Sequence, residues 1–196
     1  MRALRGVAIG ICSCMLVACS HESEGIPSLG DGGLVSGEPC SAPCFWNITP
    51  GSTSEEQALG ILSRATDVRR CEQWEADQTG VQKGITCGDV GVYFEDGAVT
   101  AVAFEPSEPL TVGDLVGGYG HPDGVETTAL GISMTPPLAM RLFYDDEGMV
   151  VWLPEQDAFD YSVAADTPIE SVAYLRQSEY MRTKRGSEEW TGYGVY

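Results

Sequence analysis

Cysteine is the residue type whose spacing defines a chemistry most clearly in this sequence. Four of the seven cysteines lie beyond residue 39, as a Cys-x3-Cys pair (Cys40, Cys44) and a Cys-x15-Cys pair (Cys71, Cys87). Four thiolates can hold zinc, but the second pair lacks the short spacing of a zinc knuckle. Cysteines of an exported chain form disulfides instead, and four of them allow three pairings. We favour a Cys71–Cys87 disulfide, because the two positions are equidistant from Thr79 in a turn-rich spacer and would face each other across an antiparallel pair of strands. The second disulfide would then join Cys40 and Cys44.

The N-terminus predicts export. A basic start, an apolar run over 6–18 and a polar sequence after Cys19 describe a secretory signal. The run is too short for a spanning helix, which needs about 20 residues. Its last residues, Leu16-Val17-Ala18-Cys19, resemble the lipobox of bacterial lipoproteins. The resemblance implies that residues 1–18 are removed and that Cys19 carries the lipid anchor. It places the protein outside the cytoplasm, either on the outer face of the cytoplasmic membrane or, as Ser20 permits, on an outer membrane.

Other side chains offer less defined chemistry. His121 is the one histidine beyond residue 39, and no Gly-x-Ser-x-Gly elbow accompanies it. Carboxylates cluster at 95–96 and 145–147, where solvated turn residues are the default and a carboxylate-based glycosidase is the alternative. We expect no catalytic residues, no metal and no cofactor.

A mixed aromatic and basic cluster marks the C-terminal part. Tyrosine, tryptophan and arginine are common interface anchors, so the cluster is a candidate partner surface; the alternative is a charged, solvated segment. Its residues are Tyr174, Arg176, Tyr180, Arg182, Arg185 and Trp190.

The net charge of the chain makes some classes of partner unfavourable. The formal net charge is −18, which repels nucleic acid and anionic lipid head groups. Contact with a membrane is therefore expected through lipidated Cys19, and the expected partner is an envelope protein or an exported protein.

The periodicity predicts helices at 54–65 and 111–119. Ser52, Thr53 or Ser54 can cap the first of them, and Glu55 and Glu56 suit its N-terminal end. Residues 19–39 are rich in Gly, Ser and Pro and predict a flexible tether. Asp96-Gly97 and 145–148 predict hairpin turns. Strands are predicted at 70–75, 81–87, 91–94, 98–104, 125–132, 140–144, 149–153 and 169–175.

The helix-then-strands pattern occurs twice. Ile48-Thr49-Pro50-Gly51 and Leu110-Thr111-Val112-Gly113 share an apolar-Thr-x-Gly motif before a short helix. Residues 48–66 and 110–124 thereby resemble BamE-like envelope modules and the tandem modules of β-lactamase inhibitor proteins. The resemblance implies a binding or assembly module without an active site.

The sequence thus predicts an α+β fold of two related units, 40–108 and 109–196, each a short helix on antiparallel strands. The predicted function is a lipid-anchored, extracytoplasmic binding or assembly module. The alternatives are a carboxylate-based cell-wall or polysaccharide hydrolase and an inhibitor of an exported enzyme.

Overall fold

A computed structural model describes residues 32–66, 70–75, 83–131, 136–157 and 160–196. These residues form a mixed α+β fold, as predicted. The helices are α1 (Glu55–Ala65), α2 (Val112–Tyr119) and α3 (Gln177–Thr183); the strands are β1 (Glu72–Trp74), β2 (Lys83–Cys87), β3 (Val90–Glu95), β4 (Ala98–Phe104), β5 (Gly124–Ala129), β6 (Leu138–Tyr144), β7 (Met149–Gln156), β8 (Ser162–Val163), β9 (Ser171–Leu175) and β10 (Gly194–Val195).

Eight of the strands form one antiparallel sheet. Its order is β1-β2-β3-β4-β9-β7-β6-β5, and β8 pairs with β10 separately. The two central strands meet in a register that places Ala103 opposite Ala173 and Val102 opposite Tyr174. The predicted hairpins form at Asp96-Gly97, between β3 and β4, and between β6 and β7. Residues from both predicted units therefore share one continuous sheet.

The hydrophobic core lies on one side of this sheet. Side chains alternate along each strand, so β3 sends Val92 and Phe94 into the core while Tyr93 points to the other face. Helices α1 and α2 supply Leu62 and Leu115 to the same core.

Both long helices begin with a capping box, at Ser54, one of the three predicted candidates, and at Thr111, for which no cap was predicted. The Ser54 side chain accepts from the Gln57 N–H, and the Gln57 side chain accepts from the Ser54 N–H. Thr111 and Asp114 form the same reciprocal arrangement at α2. Such capping boxes satisfy N–H groups that the helix itself leaves unbonded.

The folded body includes residues that the sequence assigns to the tether. Cys19 and residues up to 31 lie outside the described residues, but 32–39 belong to the folded body. Leu34 is 2% exposed and its carbonyl accepts a hydrogen bond from the Tyr119 hydroxyl. Gly32 lies so close to the Phe45 ring that a Cβ would be 1.9 Å from it. The prediction of a tether over 19–39 is therefore wrong for 32–39, because one leucine in a Gly- and Ser-rich stretch is enough to bind the core.

The C-terminal segment wraps around the β5 edge of the sheet. Helix α3 was not predicted and packs on the face opposite the core, with Tyr180 against Phe143 and Val150. The chain then forms a bridge between Glu188 and Val125 of β5. Beyond it, Trp190 returns to the core side, where its ring stacks on Tyr196 with centroids 5.5 Å apart.

Both predicted disulfides are present. Cys71 is joined to Cys87, and Cys40 is joined to Cys44. The first pair closes where β1 and β2 lie side by side, with Glu72 opposite Thr86. The symmetric spacing about residue 79 therefore predicted the right pairing, although the turn at 77–80 lies outside the described residues.

Candidate functional site: the open face of the sheet

The sheet presents one face that α1 and α2 do not cover, and we call it the open face. Helix α3 covers only its β6–β7 corner, through Tyr180. Beside that corner runs a groove of about 340 Å³ along β3, β4, β9 and β7. The groove is lined by Tyr93, Ala101, Ala103, Trp152, Ser171, Ala173 and Leu175.

Small side chains form the floor of this groove. Ala101 and Ala103 alternate with the core residues Val102 and Phe104 along β4. Ala173 lies opposite Ala103 on β9. Because the side chains at these positions are only methyl groups, a ligand can come close to the backbone of the two central strands. The floor can therefore make broad contact with a ligand.

Aromatic side chains form the walls. On one side Trp74 and Tyr93 meet edge to face with centroids 5.4 Å apart. The Trp74 ring lies over Gly84, where a Cβ would be 2.4 Å from it. On the other side stands Trp152, half-buried against Phe143, Val150 and Tyr180. Rings held in this way lose little side-chain entropy on binding, which makes them efficient contact surface.

The cations beside the groove are already paired. The Arg176 guanidinium contacts Glu95 and, at 3.0 Å, Glu179. Arg141, next to Trp152 in the strand register, contacts Glu126 at 2.5 Å.

Acidic side chains at the other margins are exposed and lie in none of the ion pairs found among the described residues. Glu72 lies on β1, two residues from Trp74 on the same face. Glu105 follows Ala103 by two residues, and its N–H donates to the Asp89 carbonyl at 3.0 Å. Glu72 and Glu105 therefore add negative charge to this face of the sheet.

The C-terminal residues proposed as a partner surface do not form one. Tyr174, Tyr180 and Trp190 are all buried, at 0%, 0% and 9% exposure. The interface interpretation is wrong for these rings, because a buried ring cannot contact a partner while the core stays intact. Of the basic members, Arg176 follows the groove residue Leu175 and is paired with Glu95 and Glu179, whereas Arg182 is exposed on α3 and Arg185 is exposed after it.

Tyr180 and its neighbours fasten α3 to the sheet. The Tyr180 hydroxyl donates to Asp145 at 2.6 Å, and Lys184 contacts the same oxygen at 2.5 Å. Burial raises the pKa of Tyr180, and the adjacent Asp145 carboxylate raises it further. Partial burial acts to raise the pKa of Asp145, but the hydrogen bonds from Lys184 and Tyr180 outweigh it and hold that pKa below its usual value.

The other sequence candidates lie apart from the groove. His121 is exposed in a separate depression with Asp123 and Glu189. Glu95 and Asp145, from the two acidic turns, are held by Arg176 and Lys184. Among the described residues no three His, Cys, Asp or Glu side chains are placed to hold a metal ion. In the same part of the chain no helix is both long and apolar enough to cross a membrane.

Sequence reasoning missed the groove, although β4 carried a signal for it. Ala101 and Ala103 alternate with large core residues, and Ser171 and Ala173 do the same on β9. Two strands with small residues on one face predict a depression only if they are neighbours. That adjacency joins segments some 70 residues apart along the chain, and no local pattern reports it.

No family model, curated protein or solved structure matches this chain.

Proposed function

We propose that this protein is a lipid-anchored, extracytoplasmic binding module without an active site, and that it holds a protein partner on the open face. The observation that carries the proposal is the groove with its alanine floor and its tryptophan and tyrosine walls. Rings of this kind dominate the energetics of protein interfaces. The lining is largely apolar, as is the fully buried centre of protein interfaces.

The proposed location rests on two independent features. The signal sequence ending at Cys19 predicts export and lipidation. Two disulfides support an oxidising compartment, because cytosolic thiols are kept reduced.

We also propose that the fold contains two related units. Hydrogen bonds support the relationship: the Glu55 N–H donates to the Gly97 carbonyl at 2.9 Å, and the Val112 N–H donates to the Thr167 carbonyl at 2.9 Å. Each helix start is thereby attached to the beginning of a central strand, α1 to β4 and α2 to β9.

In this correspondence Ser54 matches Thr111, since both are N-caps, whereas the shared apolar-Thr-x-Gly motif aligns Thr49 with Thr111. The turn at Asp96-Gly97 then matches the connection before β9 and not the β6–β7 hairpin. A short motif misplaces the alignment because it ignores which residue caps the helix.

Photo-crosslinking tests the binding proposal. A photoreactive phenylalanine placed at Ser171, in the groove, should give one discrete adduct in intact cells, identified by mass spectrometry. The matched control carries it at Ser162, exposed on β8 outside the groove. Equal adducts at both positions, or none at Ser171, would contradict the proposal.

The crosslinked protein also decides between the alternatives. If it is an exported enzyme whose turnover falls when the complex forms, the module is an inhibitor. Turnover by the purified protein itself on a glycoside or cell-wall substrate, abolished by one acidic substitution, would establish the hydrolase.

The anchor is tested separately. Cys19→Ser removes the sulfur on which a thioether lipid depends, so the variant should leave the detergent phase and lack acyl mass. Partition into detergent together with intact mass measures both. A Cys19→Ser protein that still carries acyl chains would contradict the anchor.

A further inference from the structure

We propose that the groove on the open face receives a cationic amphipathic helix of the protein partner. This inference rests on the proposed function and adds the chemistry of the partner. Three features of the open face support it: its charge, its width and the way α3 already occupies part of it.

Charge selects a basic partner. The chain has a formal net charge of −18. Arg141, opposite the groove residue Trp152, and Arg176, which follows the groove residue Leu175, are neutralised by carboxylates of this chain. Glu72, on the edge strand β1, and Glu105, two residues after Ala103, are exposed outside any ion pair found in the described ranges. A second copy of this chain would meet like charge. Lysine or arginine residues flanking an apolar contact would meet opposite charge, which speeds association and fixes orientation.

Width selects a helix. The walls stand on β3 and β7, which β4 and β9 separate. Three strand spacings put β3 and β7 about 14 Å apart. The Tyr93 ring lies along its own strand over Gly91, where a Cβ would be 3.2 Å from it, so it leaves the groove open. A helix with its side chains measures about 10–12 Å across, which fits between such walls.

Helix α3 shows how a helix packs on this face. It lies on the corner next to the groove and places one aromatic ring, Tyr180, on Phe143 and Val150. Trp152 and Leu175 pack against that small cluster and also line the groove. A partner helix would therefore lie beside α3, and its apolar side chains would contact the opposite sides of Trp152 and Leu175.

A set of designed helical peptides tests the inference. The probe is a 14-residue leucine–lysine peptide with leucine at i, i+3, i+4 and i+7, compared with the same peptide carrying glutamine or glutamate in place of lysine. Calorimetric titration should show binding of the lysine peptide, weakening as salt is raised from about 50 to 500 mM, and none of the glutamate peptide.

Groove variants establish where the probe binds. Ala103→Phe, and independently Ser171→Phe, should weaken binding roughly tenfold or more by filling the groove. Ala164→Phe, on an exposed loop, should leave it unchanged. Glu72→Gln and Glu105→Gln should each weaken it about two- to fivefold at low salt, whereas Asp166→Asn, away from the groove, should not. Thermal unfolding of each variant confirms that it is folded.

The outcomes separate this inference from the proposed function. The proposal of a cationic helix is wrong if the lysine peptide does not bind. It is also wrong if neither groove-filling substitution changes the affinity for that peptide. If the glutamine peptide binds as tightly as the lysine peptide and both depend on the groove, charge has no role, yet the open face remains the binding surface. The crosslinking result at Ser171 tests that surface independently.

Discussion

At the scale of single residues, local bonds set where the two long helices begin and how the first hairpin closes. Ser54 and Thr111 each cap a helix, because a hydroxyl followed three residues later by an acceptor completes a capping box, although candidate caps were predicted from the sequence only for the first helix. The Cys71–Cys87 pairing was predictable, because it depends only on the symmetry of one hairpin. Burial was not predictable in this way: Tyr174 and Tyr180 are core residues because of strands and helices far from them in sequence.

Asp114 predicts a specific pH dependence. Its carboxylate accepts hydrogen bonds from the Thr111 N–H and hydroxyl, and these bonds hold its pKa below the usual value. A carboxyl group whose pKa is lower in the folded state stabilises the fold above its unfolded pKa, near 3.9, and loses that contribution as the pH falls through the folded pKa.

Asp114→Asn should therefore lower the melting temperature near neutral pH and flatten its decline between about pH 5 and pH 3. Asp166→Asn, an exposed loop carboxylate, is the control. A decline as steep as that of the unmodified protein would show that the cap carries no net electrostatic stabilisation.

The disulfides should differ in their contribution to stability. In the chain-entropy treatment, the longer loop closed by Cys71–Cys87 contributes about 3 kcal/mol and the short Cys40–Cys44 loop about 2 kcal/mol. Urea unfolding of the two double alanine variants measures the difference. The control is the unmodified protein under reducing conditions, which should match the combined loss. A larger loss from Cys40 and Cys44 would indicate that this bond mainly holds the N-terminal segment in place.

At the scale of elements, strands and the two long helices followed from periodicity, whereas segments that depend on docking did not. Helix α3 has no amphipathic repeat of its own and is held by Tyr180, through Phe143 and Asp145. The segment at 32–39 also depends on docking. Its composition predicts a tether, but the buried side chain of Leu34 holds it on the core. The composition of a segment is an average over its residues, so it does not reveal that a single leucine is buried.

Leu34 tests the docking of the N-terminal segment. It is 2% exposed in the main core, so Leu34→Ala should lower the free energy of unfolding by about 2–5 kcal/mol. Val35, 60% exposed next to it, provides the matched control, and Val35→Ala should change stability by no more than about 0.5 kcal/mol. Urea unfolding measures both. If both substitutions change the free energy of unfolding by equal, small amounts, residues 32–39 are part of the tether and not of the folded body.

Tyr180 tests the docking of α3. Tyr180→Phe keeps the ring contact with Phe143 and removes the hydrogen bond to Asp145, so it should cost about 1 kcal/mol. Tyr180→Ala removes both and should cost about 3–5 kcal/mol. Hydrogen exchange of the α3 amides distinguishes local release from global unfolding. If Tyr180→Ala leaves α3 protected, Lys184 and the backbone hold the helix without the ring.

At the scale of the molecule, one sheet accounts for both the fold and the candidate site. The eight strands of the large sheet were predicted, whereas the short strands β8 and β10 were not. The order of strands was not predicted either, because the meeting of β4 and β9 is a pairing between distant segments. That pairing places Ala103 opposite Ala173 and so makes the groove, and it buries Phe104 against Tyr174, with ring centroids 5.8 Å apart. The groove, which is the proposed binding surface, is therefore formed at the junction between the two predicted units and belongs to neither alone.

The same junction predicts that the units do not fold separately. Strands β4 and β9 each obtain one full ladder of hydrogen bonds from the other half, and separation would leave both with an exposed edge and exposed core residues such as Phe104 and Tyr174. Thermal unfolding should accordingly be a single transition with equal calorimetric and van't Hoff enthalpies. Chains covering residues 32–108 and 109–196 should each give collapsed amide spectra, and mixing the two should restore dispersion. A dispersed spectrum from either half alone would show that the units are independent domains, and the groove would then be an interface between them that can open.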